Sequence, residues 1–163
     1  MRQLFMKRKV SNPSETFTVT NRNEEDVYGV SVDSIDNELF ITIHNPVHEQ
    51  VAVVTNNRSE EFFRFTVEVD NEKVFTIEKR LSPVASNYVV TGDKLNLDDD
   101  FFDMSFNIML GYRKVAKLRN RWTTRGDSYE ITVFEDENEP AIIGLVSILD
   151  FIKNNEEKKS NVI

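Results

Sequence analysis

Apolar and polar residues alternate along most of the chain before Asp136. The segments ETFTVT, LFITIH, FRFTVEV, KVFTIEK and SYEITVF have this period of two and are rich in Phe, Val, Ile and Thr. That is the signature of half-buried strands. Turn-forming stretches separate them: TNRNEED, HNPVHEQ, VDNEK, TGDK and LGYR. The alternation also repeats on a longer scale. Six windows of seventeen residues start at Gln3, Val27, Val51, Val74, Lys94 and Val115, 20 to 24 residues apart. Their second places hold Leu4, Tyr28, Ala52, Phe75, Leu95 and Ala116, and their fourth places Met6, Val30, Val54, Ile77, Leu97 and Leu118. The fifteenth places hold Phe17, Ile41, Phe65, Tyr88, Ile108 and Tyr129, and the last Val19, Ile43, Val67, Val90, Leu110 and Ile131. All are apolar or aromatic, and self-similarity at such a period marks a repeat architecture.

Each window holds two strands and a connection, so six windows predict twelve antiparallel strands. The inward pair at each end has the spacing of two that one sheet face requires. A sheet of this size seldom stays open and flat. Closing it into a barrel removes the exposed edges. Barrel diameter grows with strand number: eight strands are filled by their own side chains, and twelve leave a hollow.

The segment PAIIGLVSILDFI, Pro140 to Ile152, supplies a filling. Ala141, Ile142, Ile143, Leu145, Val146, Ile148, Leu149, Phe151 and Ile152 fall all round a helix, as a buried helix requires. The predicted fold is therefore mainly β: a closed twelve-stranded antiparallel barrel around a central hydrophobic C-terminal α-helix. The barrel with its helix, Pro140–Lys153, takes up residues 1–153, and residues 154–163 are expected to be a flexible tail. Pro140 suits the first helical turn. Acidic Asp136, Glu137 and Glu139 precede the helix and Lys153, Lys158 and Lys159 follow, both in keeping with its dipole. Gly144 costs about 1 kcal/mol in a helix interior and predicts a close approach to the barrel wall. The expected core includes Ile142, Leu145, Val146, Ile148, Leu149, Ile152, Phe65, Tyr88 and Tyr129.

Composition narrows the function classes. The 163 residues suggest one domain. There is no Cys, which excludes disulfides, thiolate metal sites and a Cys nucleophile. The formal net charge of -8 argues against a nucleic-acid partner, because phosphates are repelled overall. The basic opening MRQLFMKRKV lacks the apolar run of a signal peptide, and the helix is too short to cross a bilayer. The expected location is the cytoplasm, peripheral to a membrane at most.

One segment runs against the overall charge. RKVAKLRNRWTTR, Arg113 to Arg125, has six basic residues and no acidic one. With Ala116 and Leu118 inward on a strand, Lys117, Arg119 and Arg121 face out together. Lys114, Lys117, Arg119, Arg121 and Arg125 are the candidate residues for anion or lipid-headgroup binding. The competing reading is a solvated strand face paired with nearby carboxylates. Arg2, Lys7, Arg8 and Lys9 join this patch if the first and last strands pair. Other constellations point to no chemistry. His44 and His48 in HNPVH lack a third metal ligand and suit a surface loop. Asp98, Asp99, Asp100 and Asp103 lack the Gly and Glu of a calcium loop. Ser128 beside Asp127 has no base partner for a nucleophile. No metal, cofactor or catalytic group is expected.

The chain resembles the LURP-one-related family in KVAKLRNRWTTRGDSYEITV, in GDKLNLDDDFFDMSFNI and in the final apolar helix. The likeness is most specific at Arg121-Trp122 followed by Gly126-Asp127-Ser128-Tyr129-Glu130-Ile131. That family belongs with the Tubby C-terminal-like superfamily, which includes phospholipid scramblases. The resemblance implies a twelve-stranded barrel around a C-terminal helix, in a bacterial single-domain form. It also implies a non-enzymatic binding module whose partner is an anionic membrane surface or phosphoinositide-like headgroup. The alternative is a protein-interaction scaffold with a protein partner and no lipid binding.

Overall fold

The computed structural model describes residues 1–8, 15–35, 38–58, 63–81, 86–92, 95–98, 104–123 and 126–161. Twelve strands form one antiparallel sheet. They are β1 (Arg2–Arg8), β2 (Glu15–Thr20), β3 (Asp26–Ile35), β4 (Glu38–His44), β5 (Gln50–Arg58) and β6 (Phe63–Val69), then β7 (Glu72–Leu81), β8 (Ser86–Gly92), β9 (Leu95–Asp98), β10 (Phe106–Leu110), β11 (Arg113–Thr123) and β12 (Gly126–Val133). A 3-10 turn, Asp136–Asn138, leads into α1 (Glu139–Asn161), the one α-helix among the described residues. Apart from β8 and β9, neighbours in the chain are neighbours in the sheet, and β1 pairs with β12. The sheet curls into a nearly closed barrel whose two ends, β8 and β9, lie against each other.

The six windows are the six hairpins. Their fourth and last places face one another in five of them, as Met6↔Val19, Val30↔Ile43, Val54↔Val67, Ile77↔Val90 and Leu118↔Ile131. The fifth window departs, with Leu97 facing Ile108, its fifteenth place. A slip of two residues keeps the same face inward. Successive windows obey a second rule, fifteenth place against the next fourth place: Phe17↔Val30, Ile41↔Val54 and Phe65↔Ile77. The closure Tyr129↔Met6 repeats it, so the sixth window meets the first as each of the first three meets the next. The slipped hairpin stands beside the β8–β9 seam.

The inward positions make one core. Phe65 and Tyr129 are buried together with Leu4, Met6, Phe17, Val30, Ile43, Ile77 and Leu118. Tyr88 pairs with Lys79 through its backbone, and its side chain lies outside the described residues. Every residue of α1 from Ala141 to Asp150 is buried, and so is Ile152. The helix thus fills the barrel, with Ile142, Leu145, Val146, Ile148 and Leu149 on all its sides. Gly144 faces the wall at β4, β5 and β6. A Cβ there would stand 2.9 Å from Val67 Cγ1 and 3.4 Å from Ile43 Cδ1, so a glycine lets helix and wall approach. The helix continues past Lys153, its expected end, to Asn161. Glu156, Glu157, Lys158 and Lys159 are good helix formers, which explains the extension. No helix among the described residues is long and apolar enough to cross a membrane.

Candidate functional site

The helix enters the barrel beside the first residues of β1 and reaches the end of β1 at Asp150. Two carboxylates on it are buried, Glu139 and Asp150, each 2% exposed. Each meets an arginine of β1. Arg8 Nη2 donates to Asp150 Oδ1 at 2.8 Å and Oδ2 at 2.9 Å. The Tyr129 hydroxyl also donates to Asp150 Oδ1, and Asn154 Nδ2 to Oδ2 at 3.3 Å. The Arg8 guanidinium lies 4.8 Å over the Phe17 ring, and that ring is 6.0 Å from Tyr129. Such a stack suits a cation held between a carboxylate and an aromatic face. At the other end Tyr28 Oη donates to Glu139 Oε1 at 2.9 Å, and Arg2 Nη1 is 3.3 Å from the same oxygen. Arg2 and Arg8 are separated by roughly 20 Å of strand and Glu139 and Asp150 by roughly 16 Å of helix. β1 therefore clamps the plug at two depths.

Burial pushes the Glu139 carboxyl above its ordinary value; Tyr28 and Arg2 pull it back, and Asp136 adds to the rise. Burial, followed by the Glu139 charge, likewise raises the Tyr28 phenol. The folded chain holds this proton more tightly than the unfolded one, so Glu139 favours folding below about 4.5 and this contribution is lost as pH rises through the folded value. Glu139→Gln stays neutral throughout. Its melting temperature should gain on that of the wild type as pH rises from 4 to 8. A gap that stays constant in calorimetry across that range would contradict the assignment.

Four of the basic candidates, Lys114, Lys117, Arg119 and Arg121, lie on the outer face of β11. Lys117 stands between Asn107 of β10 and Thr132 of β12, and Arg119 beside Glu130. Lys114 joins them through an irregularity that sequence parity does not show. Between Met109↔Lys114 and Ile108↔Ala116 the ladder carries an extra residue, Val115. Both Val115 and Ala116 are buried, and Lys114 is exposed on the outer side. This bulge turns a side chain that strict alternation would bury out to solvent. The Val115 carbonyl accepts the Phe134 N–H at 2.8 Å, tying the bulge to the segment that starts the helix.

The charges divide into two groups. Arg121 Nε pairs with Glu130 Oε2 at 2.7 Å, and Arg113 Nε with Glu135 Oε1 at 2.6 Å. Among the described residues Lys114, Lys117 and Arg119 have no ion pair. Glu130 also accepts from Gln3 Nε2 at 2.9 Å, and Gln3 Oε1 accepts from Arg22 Nε at 2.8 Å. A polar belt thus runs from β11 across β12 and β1 to the β2–β3 turn. Arg125 and the side chain of Trp122 lie outside the described residues. So do Lys9, Asp99, Asp100, Asp103 and the side chains of Asp98 and Asp127. Ser128 Oγ donates to the Arg121 carbonyl at 3.1 Å, a structural use of the hydroxyl. The His44 ring covers Gly29, and the rings of His44 and His48 are 5.5 Å apart. Among the described residues no three His, Asp or Glu side chains are grouped to hold a metal ion.

The β11 face, the β12–β1 closure and the buried helix fall within one family pattern. The family model of LURP-one-related proteins matches residues 2–150. The chain belongs to the LURP-one-related family. That family is not a known enzyme family. An uncharacterized protein of Bacillus subtilis, YxjI, is 20% identical over 162 residues, covering 98% of this chain and 99% of its own. The X-ray structure of a protein from Arabidopsis thaliana superposes with a TM-score of 0.59, covering 93% of this chain and 90% of that one. At 12% identity that likeness is one of fold: a Tubby-like barrel with one C-terminal helix. Sequence reasoning found the β11 stripe and missed both helix carboxylate clusters. Asp150, a charge inside an otherwise apolar helix, was the available signal for one of them.

Proposed function

We propose that this LURP-one-related protein is a non-catalytic binding module whose β11 face contacts anionic phospholipid headgroups. The observation that carries the reading is the set Lys114, Lys117 and Arg119. These cations share one sheet face and have no ion pair among the described residues. The solvated-face reading accounts for Arg113 and Arg121, which are paired. Each cation near an anionic surface contributes about 1 kcal/mol, with the attraction fading over a Debye length. Three supply about 3 kcal/mol, or about a hundredfold in affinity. The net charge of -8 opposes approach, so binding is local and salt-sensitive.

Wild-type protein should co-sediment with phosphatidylserine vesicles at low salt. It should not pellet with neutral vesicles, nor at high salt. Lys117→Gln with Arg119→Gln should remove most of the pelleting and leave the melting temperature nearly unchanged, because exposed charges contribute little stability and no like charge is set against Glu130. Arg121 is left in place, since reversing it would strand Glu130. Absence of lipid-dependent pelleting in the wild type would retire the reading. The interaction scaffold would then stand in front, favoured by Val47 and Tyr112, exposed apolar tips on the β4–β5 and β10–β11 turns.

A further inference from the structure

A second basic feature lies away from the β11 stripe, at the end of the barrel where the helix enters. A cleft of about 210 Å³ is lined by Met1, Arg2, Gln3, Asn21, Arg22 and Asn23. Two arginines and three carboxamide residues are among its lining, with no acidic residue. Its size is below the ~300–1,000 Å³ of sites for drug-sized molecules, so its ligand is small.

The cleft is organised before any ligand arrives. Asn21 Oδ1 accepts the backbone N–H groups of Asn23 and Glu25, at 2.9 and 3.0 Å, which fixes the turn carrying Arg22. Gln3 Oε1 takes only the Nε–H of Arg22, and Gln3 is itself held by Glu130. The Nη groups of Arg22 have no partner among the described residues. Arg2 uses Nη1 on Glu139, which leaves its Nη2 likewise without a partner among the described residues. Two guanidinium edges on one small cleft suit bidentate binding of an oxyanion. Glu25 stands at the rim, 3.4 Å from the amide nitrogens of both Asn21 and Asn23. Its charge repels polyanions and weakens binding of any anion.

We infer that the Arg2–Arg22 cleft binds a single phosphate group. This site is separate from the β11 face and does not depend on the lipid reading. The probe is inorganic phosphate, titrated against chloride at constant ionic strength and followed by NMR of the Arg22 Nε–H and the Asn21 and Asn23 amides. Saturable shifts in the millimolar range are expected. Arg22→Gln should weaken binding at least tenfold, Lys117→Gln with Arg119→Gln should leave it unchanged, and Glu25→Gln should tighten it a few-fold. No saturable response, or equal binding by Arg22→Gln, would overturn the inference. Phosphatidic-acid vesicles then distinguish the source of the phosphate. Pelleting that Arg22→Gln abolishes assigns a lipid headgroup, and pelleting that Arg22→Gln leaves intact assigns a soluble phosphate.

Discussion

Leu145→Asp should leave no cooperative melting transition. Leu145 is fully buried in the middle of the plug, between walls of the barrel on every side. An unpaired carboxylate there costs several kcal/mol in desolvation, and the lost packing adds about 2–5 kcal/mol. The sum approaches the whole stability of a domain, about 5–15 kcal/mol. Ile148→Asp should behave alike. A chain lacking residues 140–163 should also fail to fold, since the inward faces of twelve strands would then line an empty space. Circular dichroism against temperature reads all three. A truncated chain that still melts cooperatively would mean that the strands collapse onto each other without the helix.

The second large effect concerns Asp150. Asp150→Ala leaves the half-buried Arg8 charge unpaired and the buried Tyr129 hydroxyl without this acceptor. Breaking a buried pair from one side costs about 3–5 kcal/mol. Arg8 is partly open to solvent, which puts the expected loss near the lower figure. Replacing all three polar groups together should do much less harm. Arg8→Met, Asp150→Leu and Tyr129→Phe in one chain should recover most of the loss, because an apolar cluster of similar volume carries no desolvation penalty. Urea denaturation of the single and triple variants measures the difference. If the triple variant is as unstable as Asp150→Ala, packing and not charge is what Asp150 provides.

The barrel was legible because its signal is local and repeated. Alternation in ETFTVT or FRFTVEV identifies a strand without knowledge of its partner, and six windows in one register then fix the order. The departures are the parts that only partners decide. Nothing near Val115 announces that the ladder gains a residue there, yet that bulge brings Lys114 to the stripe. The β9–β10 slip is equally silent, since Leu95 and Leu97 stay on the inward face at either register. Arg8 and Asp150 are 142 positions apart; Arg8 alone reads as a surface charge near the end of a strand, and Asp150 stands out in its apolar run without naming a partner. The pairing of Arg121 with Glu130 depends on the β11–β12 register, which sets a diagonal that composition does not contain. The helix overran Lys153 because Glu and Lys favour helix as readily as they favour solvent.

The position of β1 also dictates an order of assembly. β1 is made early, but Gln3 waits 127 positions for Glu130 and Arg8 waits 142 for Asp150. At about 5–20 residues per second, a ribosome needs roughly 7–28 seconds to cover the longer interval. Hairpins β3–β4 to β7–β8 can form during that time from neighbouring sequence. β1 cannot complete its pairing, and its edge and its two arginines stay in water until β12 and α1 emerge. Such long closures slow folding and leave unpaired edges open to association. Nascent chains halted before Tyr129 would therefore be the form of this protein most in need of a chaperone.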